Sequence, residues 1–173
     1  MIINKLVADL RESWSSPRSS DSNAEPADGG LLVCRFPPPE PWNRLEFETS
    51  KHLTLPEDLV TLWSLANGAT FFEDVEFAQW GLVIWSPQAT LQPDSLLIDL
   101  YRDKLEAGDL PIGRFLGDLD LVLLRCDPGV SDFGSVVIAI SDYPRADWFR
   151  PAGSLGEFLE RFARSPEAKY WES

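Results

Sequence analysis

The sequence predicts an α+β fold, a single domain over residues 1–173 in which helices flank a largely antiparallel sheet. Two observations lead to this prediction. Amphipathic helical periods alternate with short apolar runs of strand length, in the order α, β, α, β, β, α, β, β, α. The 173 residues are 44% hydrophobic and 12% aromatic, which suits one domain with a substantial core.

The N-terminal third begins with a helix and continues through a polar segment. Apolar residues recur at helical spacing and predict a helix over residues 2–14. Residues 15–30, SSPRSSDSNAEPADGG, are of low complexity and predict a mobile polar loop. LLVCRF, residues 31–36, is a strand candidate, and the prolines that follow it predict a stiff, extended connector.

The stretch LPEDLVTLWSLANGAT, residues 55–70, predicts a helix with defined ends. Pro56 suits the first helical position, and the acidic residues Glu57 and Asp58 favour the positive end of the helix dipole. Asn67-Gly68 is expected to supply the left-handed residue that ends the helix. Residues 75–85 then allow strands broken at glycine.

The C-terminal half is predicted to contain a helix, then strands, and then a last helix. A helix is expected over residues 93–107, closed by Gly108. Residues 111–126 are expected to form either a strand pair or a turn followed by a strand, with the turn at Gly117-Asp118 and a strand over residues 119–125. The apolar run at 134–140 predicts a buried strand, and the residues after it a connector. Ser154, with Glu157 three positions later, is typical of a capping box that opens the last helix.

The charge balance is strongly acidic. The chain carries 28 acidic and 15 basic side chains, and residues 57–142 alone hold 15 acidic and four basic ones. Such a surface repels phosphate backbones, so nucleic-acid binding is not expected. It attracts a basic protein partner and speeds the encounter. Acidity also keeps proteins in solution, and this plainer explanation stays open.

Several classes of protein and site are not indicated. No apolar run is long enough for a membrane-spanning helix, and residues 1–14 lack a secretory signal, so we expect a cytoplasmic protein with no membrane partner. Cys34 and Cys126 are then expected to stay reduced and to act as small apolar residues. With His52 as the single histidine, neither a metal site nor a cofactor is expected.

Four segments, taken together in order, resemble the Smi1/Knr4 family of the SUKH superfamily. These are LPEDLVTLWSLANGAT, PIGRFLGDLDLVLLRCDP, FGSVVIAI and AGSLGEFLERF, and the resemblance covers about residues 45–162. The sequence departs from the family pattern at one point: the family commonly has Gly-Gly-Asp before the strand, whereas here the single glycine Gly117 precedes Asp118. The resemblance implies an α+β fold. It also implies a role as an immunity protein, which binds and neutralises a cognate toxin, often a nuclease, as many bacterial members do. Fungal members act instead as regulatory scaffolds in cell-wall synthesis signalling.

The candidate partner-binding residues are acidic, with one tryptophan among them. Glu73, Asp74 and Glu76 follow the predicted helix end and lie near Trp80, as in an interface anchor with a charged rim. Asp118 and Asp120 join this set because they alternate along a predicted strand and therefore share a face. For the neighbouring aromatic residues, a place in the core is an equally open interpretation; these are Phe71, Phe72 and Trp85.

No catalytic residue is predicted. The chain has no phosphate-binding glycine loop, no nucleophile-elbow motif and no zinc-protease motif. The favoured function is therefore binding: an immunity protein that occludes a basic toxin domain in a stoichiometric complex. Two alternatives remain, a regulatory scaffold of the same fold that binds an endogenous enzyme, and a small metal-dependent hydrolase that uses Asp118 and Asp120.

Overall fold

A sheet forms the centre of the fold, which is α+β as predicted. The structure, a computed structural model, describes residues 2–20 and 30–172. Within these residues seven antiparallel strands lie side by side in chain order. The strands are β1 (Leu32–Arg35), β2 (Ala69–Asp74), β3 (Leu82–Ile84), β4 (Asp109–Phe115), β5 (Leu121–Arg125), β6 (Val136–Ala139) and β7 (Phe149–Ala152). The helices are α1 (Ile2–Trp14), α2 (Arg44–Lys51), α3 (Glu57–Leu65), α4 (Pro87–Leu91), α5 (Ser95–Asp99) and α6 (Leu155–Arg164), with 3-10 turns at Arg102–Lys104 and Arg145–Asp147.

The two faces of the sheet are covered unequally. Val122 and Leu124 of β5 belong to the main core, which α1, α2, α3 and α6 complete. Because successive strand residues point to opposite faces, Leu121 and Leu123 belong to a second, smaller cluster. Tyr101, after α5, packs into that cluster. The second face is therefore covered only by short helical segments.

Both terminal helices form where the sequence predicts them. Helix α1 spans the predicted residues and buries its apolar stripe. Helix α6 begins after Ser154, whose Oγ accepts a hydrogen bond from the Glu157 N–H at 3.2 Å. The Glu157 carboxylate in turn accepts from the Gly153 N–H at 3.0 Å, so the capping prediction is confirmed with the return bond one residue earlier.

The predicted long helix over residues 93–107 is wrong. This region instead holds the five-residue helix α5 and the 3-10 turn at Arg102–Lys104, and another five-residue helix, α4, ends just before it. Pro93 and Asp94 separate the two helices, and the Asp94 carboxylate caps α5 by accepting from the Leu96 N–H at 2.9 Å. Tyr101 then turns inward, with its hydroxyl donating to the Leu119 carbonyl. Packing of this one ring against the sheet overrides the helical periodicity.

The end of α3 also differs from the prediction. Ala66 takes an extended conformation and caps the helix with a hydrogen bond from its N–H to the Leu62 carbonyl. Gly68 does have a positive φ, +79°, but it lies in the turn into β2. A Cβ at Gly68 would lie 2.9 Å from the Ile84 carbonyl oxygen and 2.9 Å from the Ser86 nitrogen. The glycine is thus needed because neighbouring backbone approaches it closely.

Four elements were not predicted: α2, β2, α4 and β7. Helix α2 buries only Phe47, so its sequence carries little periodic signal, although the Asn43 side chain caps it by accepting from the Glu46 N–H at 3.1 Å. Strand β2 was interpreted as residues exposed after a helix end. Strand β7 contains Pro151, which is tolerated because β7 lies at the edge of the sheet.

The predicted polar loop falls partly outside the described residues. Residues 21–29 are not described, whereas Arg18 forms an isolated antiparallel bridge with Leu32. In residues 2–20 and 30–172, no helix is both long and apolar enough to cross a membrane.

Candidate protein-binding surface

Two hairpin turns meet at one end of the sheet. The loop between β2 and β3, residues 75–81, touches the turn between β4 and β5, residues 116–120, where the Leu116 N–H donates to the Gly81 carbonyl at 2.8 Å. A Cβ at Gly117 would lie 2.0 Å from the Gln79 carbonyl oxygen, and φ there is +85°. We call residues 73–80 and 116–120 together the acidic turn surface.

Asp74 organises the first of these turns. Its carboxylate accepts from the Glu76 N–H at 3.0 Å, its own N–H donates to the Trp80 carbonyl at 3.0 Å, and its carbonyl accepts from the Ala78 N–H at 3.0 Å. The loop presents Glu76 to solvent, with Phe77 beside it at 66% exposure. An exposed phenylalanine next to a carboxylate is the combination that anchors and orients protein interfaces.

Glu73 lies on β2 behind this loop. Its carboxylate pairs with Arg35 Nε of β1 at 2.9 Å, and the two side chains are 24% and 58% exposed. An ion pair this exposed contributes little to stability, typically about 0–1 kcal/mol. Glu73 therefore faces solvent with part of its charge compensated.

Of the three aromatic residues near this turn, two lie in the core and one is partly exposed. Phe71 and Phe72 are both fully buried in the main core. Neighbouring residues of a strand normally point to opposite faces, but Phe71 and Phe72 both enter the main core because the pairing of β1 with β2 shifts register here and φ of Phe72 is +55°. The Phe72 N–H points at Cys34 Sγ at 3.3 Å. Trp85 is half-buried on the other face of the sheet.

Trp80 is half-buried at the base of the loop. Its indole N–H donates to the Pro166 carbonyl at 2.6 Å, and its ring lies 6.4 Å from that of Phe162. The tryptophan therefore joins the first turn to the C-terminal segment that follows α6.

Asp118 and Asp120 converge on one lysine from this C-terminal segment. Lys169 Nζ lies 2.6 Å from Asp118 Oδ2 and 2.8 Å from Asp120 Oδ2, and 3.7 Å from Glu172. The two aspartates lie in the turn before β5, where the Asp120 N–H donates to Asp118 Oδ1 at 2.9 Å. The prediction that they alternate along a strand is wrong, but they do lie together.

The environment of this cluster shifts its protonation equilibria. Burial raises the pKa of Asp120, the hydrogen bond from Lys169 opposes the rise, and the charge of Asp118 adds to it. For Lys169, burial disfavours the ammonium, but the hydrogen bonds to both carboxylates outweigh it and raise the lysine pKa. Burial, followed by the charge of Asp120, raises the pKa of Tyr101 to about 12. Because its pKa is raised, Lys169 stays protonated at neutral pH.

The two carboxylates share one largely buried lysine. The Lys169 side chain is only 11% exposed, and its Nζ lies at 2.6 and 2.8 Å from the two carboxylates. Within residues 2–20 and 30–172, no group of three or more His, Cys, Asp or Glu side chains is arranged to hold a metal ion.

Two residues were missed by sequence reasoning: Phe77, which lies on this surface, and Lys169, which contacts it. Phe77 was interpreted as a strand residue, although its position between Glu76 and the turn-forming residue Ala78 would fit a hairpin tip. Lys169 carried no signal, since nothing local links it to aspartates 49 and 51 positions earlier.

The comparison with protein families gives a clear match. The model of the SMI1 / KNR4 family (SUKH-1) matches residues 41–161, about two thirds of the chain. No curated protein matches the chain. The match begins before α2 and ends within α6, so it includes both hairpin turns of the acidic turn surface. The chain belongs to the SMI1 / KNR4 family (SUKH-1).

Proposed function

We propose that this protein is an immunity protein that neutralises a cognate, basic toxin domain, with nucleases the favoured class, by stoichiometric occlusion. Family membership is consistent with a protein-binding role of the immunity type. In this proposal the protein acts by binding and not by catalysis. Its carboxylates take the place of the phosphates that a nuclease would otherwise bind.

The observation that carries the proposal is the pairing of Phe77 with Glu76 at the tip of the acidic turn surface. Glu76 is exposed and makes no ion pair within the described residues, so its charge is available to a partner. Phe77, at 66% exposure, would enter an apolar pocket of the toxin. Basic residues around that pocket would meet Glu76.

The other candidate residues would have graded roles. Glu73 and Asp118, whose side chains are 24% and 38% exposed, would add to the attractive field at the rim. Asp74, Trp80 and Asp120 make internal hydrogen bonds and would hold the two turns in place. We therefore expect Glu76 and Phe77 to dominate affinity.

The test begins with the full chain as bait in lysate of its native host, at low and at high salt. A captured basic protein is then expressed alone and together with this chain, and growth is measured. An immunity protein restores growth, and the purified pair forms a 1:1 complex. Binding is measured by calorimetry with Glu76→Lys, Phe77→Ser and, as a matched charge control on the exposed side of α1, Glu12→Lys.

We expect Glu76→Lys and Phe77→Ser each to weaken binding at least about tenfold, as for residues at the centre of an interface. Glu12→Lys changes net charge equally and should alter affinity only about twofold. If Glu76→Lys and Glu12→Lys weakened binding equally, the effect would come from net charge alone, and the acidic turn surface would not be the binding site. Capture of a housekeeping enzyme, with no toxicity to relieve, would assign the chain to the regulatory scaffolds.

A further inference from the structure

A second surface, on the thinly covered face of the sheet, forms a groove of about 470 Å³ between α5 and the β4–β5 turn, and most of the residues that line it are apolar. Three of its leucines are unusually exposed for their size: Leu96 at 77%, Leu100 at 46% and Leu119 at 50%. Trp85 forms part of the wall, and Leu97 is buried beneath. Clustered exposed leucines of this kind are typical of interaction sites.

The groove contains one arginine side chain, that of Arg114, for which the described part of the chain offers no partner. Arg114 of β4 lies between Val83 of β3 and Leu121 of β5, and it is exposed. Among the lysines and arginines of residues 2–20 and 30–172, Arg114 alone has a side chain that makes no hydrogen bond, ion pair or ring contact. This is notable in a chain of net charge −13, in which carboxylates outnumber cations.

The carboxylates nearest to the groove are already engaged. Asp94 lines the groove but caps α5 through the Leu96 N–H at 2.9 Å. Asp99 pairs with Arg102, and the aspartates on either side of Leu119 pair with Lys169. The groove therefore presents apolar side chains together with Gln92, Asp94 and Arg114, and the Arg114 guanidinium has no counter-ion among the described residues.

We propose that this groove is a docking site for an amphipathic segment of a partner protein, which inserts apolar side chains between Leu96 and Leu100 and places a carboxylate on Arg114. Arginine binds carboxylates through two parallel hydrogen bonds, and the pair strengthens when apolar surroundings exclude water. A polyanion such as nucleic acid does not fit, because the net charge of the protein repels it. A second copy of the chain is disfavoured by the same repulsion.

The groove and the acidic turn surface select opposite charges. A partner of the groove brings a carboxylate, whereas the proposed toxin brings cations to Glu76. The docking site does not depend on the proposed function, and its test requires no toxin.

The test uses a random dodecapeptide library displayed on phage, selected on the full chain and counter-selected on Arg114→Glu. Enriched peptides should carry apolar residues at spacings of three or four with an Asp or Glu among them. Each is then synthesised with a fluorescent label, and its affinity is measured by anisotropy. The variants compared are Arg114→Gln, Leu100→Ser and Arg164→Gln.

Arg164 provides the matched control. It lines a comparable groove between α1 and α6, together with Leu6 and Leu10, but it pairs with Glu160 at 3.3 Å. We expect Arg114→Gln to weaken peptide binding about tenfold, Leu100→Ser by at least as much, and Arg164→Gln less than about twofold. Arg114 and Leu100 are exposed, so both variants should keep the wild-type melting temperature.

Three results would overturn the proposal. The first is the absence of any enriched peptide, and the second is enrichment of basic or uncharged sequences whose binding is indifferent to Arg114→Gln. The third is a dimer in light scattering that Arg114→Gln disrupts, because this would assign the groove to a second copy of the chain.

Discussion

Lys169 Nζ lies 2.6 Å from Asp118 Oδ2, which ties the C-terminal segment to the β4–β5 turn 51 residues earlier in the chain. The same segment holds Trp80 through the Pro166 carbonyl. Both turns of the acidic turn surface are therefore fastened to one short piece of chain after α6. The shape of this surface depends on contacts that lie outside the family match at residues 41–161.

Removing the lysine should loosen this attachment. Lys169→Met leaves Asp118 and Asp120 side by side without a cation, so we expect the free energy of unfolding at pH 7 to fall by about 1–2 kcal/mol. The ring of Trp171, now 5.3 Å from that of Phe115, should become more accessible. Urea unfolding and acrylamide quenching of tryptophan fluorescence measure the two effects.

Lys5→Met is the control for this substitution. Lys5 pairs with Asp9 on the surface of α1, with side chains 79% and 56% exposed, and its loss should leave the free energy of unfolding nearly unchanged. An equal effect of the two variants would mean that the Lys169 cluster contributes no more than an ordinary surface pair.

Glu48 should make stability depend on pH in the acid range. Its carboxylate accepts from the Leu55 N–H at 2.8 Å and from Arg44 Nε at 3.0 Å, which joins α2 to the start of α3. Burial alone would raise the pKa of Glu48, but these two hydrogen bonds outweigh it and lower the pKa. A carboxyl with a lowered pKa stabilises the fold above its unfolded pKa, near 4.5, and this contribution is lost as the pH falls through the folded value.

Glu48→Gln should therefore cost about 1–2 kcal/mol at pH 7, and the difference from wild type should shrink at pH 3. Urea unfolding at both pH values gives the comparison. Glu46→Gln, an exposed substitution in the same helix, should have little effect at either pH. A difference between Glu48→Gln and wild type that stays constant from pH 7 to pH 3 would show that the charge of Glu48 is irrelevant.

Alanine substitutions at three glycines should distinguish the cost of backbone strain from the cost of steric collision. Gly117→Ala introduces both, since φ is +85° and the new Cβ would lie 2.0 Å from the Gln79 carbonyl oxygen. Gly134 has the same φ of +85°, but its nearest neighbours are 3.9 Å away, so Gly134→Ala introduces strain alone. Gly153 has neither feature, with its nearest atom at 3.7 Å.

We expect a loss of about 1 kcal/mol for Gly134→Ala and at least about 2 kcal/mol for Gly117→Ala, while Gly153→Ala should be nearly neutral. Thermal unfolding of the three variants gives the order. If Gly117→Ala were no worse than Gly134→Ala, the two hairpin turns would be further apart than described.

Both cysteine thiols should be unreactive in the folded protein. Burial raises the pKa of Cys34 and of Cys126 to about 12 in each case, so almost no thiolate is present at pH 8. A thiol-specific reagent such as Ellman's reagent should modify neither in native conditions and both in 6 M guanidinium. Rapid reaction of either thiol before unfolding would place it at the surface.

Local sequence patterns were sufficient where an element buries a regular stripe or ends at a side-chain cap. Helix α1, the Ser154 cap of α6, and strands β5 and β6 all satisfy this condition. Local sequence patterns failed where one or two contacts decide the conformation. One such region contains α4 and α5, after which Tyr101 packs inward against the sheet, and another is α2, which buries a single phenylalanine.

The amino-acid sequence by itself determined the α+β class, the family and the acidic character of the chain, because composition, periodicity and motif order are local properties. Only the tertiary structure decided which charged and aromatic side chains remain available. A register shift buries Phe71 and Phe72. Lys169, distant in sequence, forms ion pairs with Asp118 and Asp120. The side chain of Arg114 has no partner among the described residues. Each of these outcomes depends on which strands and turns become neighbours, and pairing across tens of residues leaves no trace in the pattern of either segment.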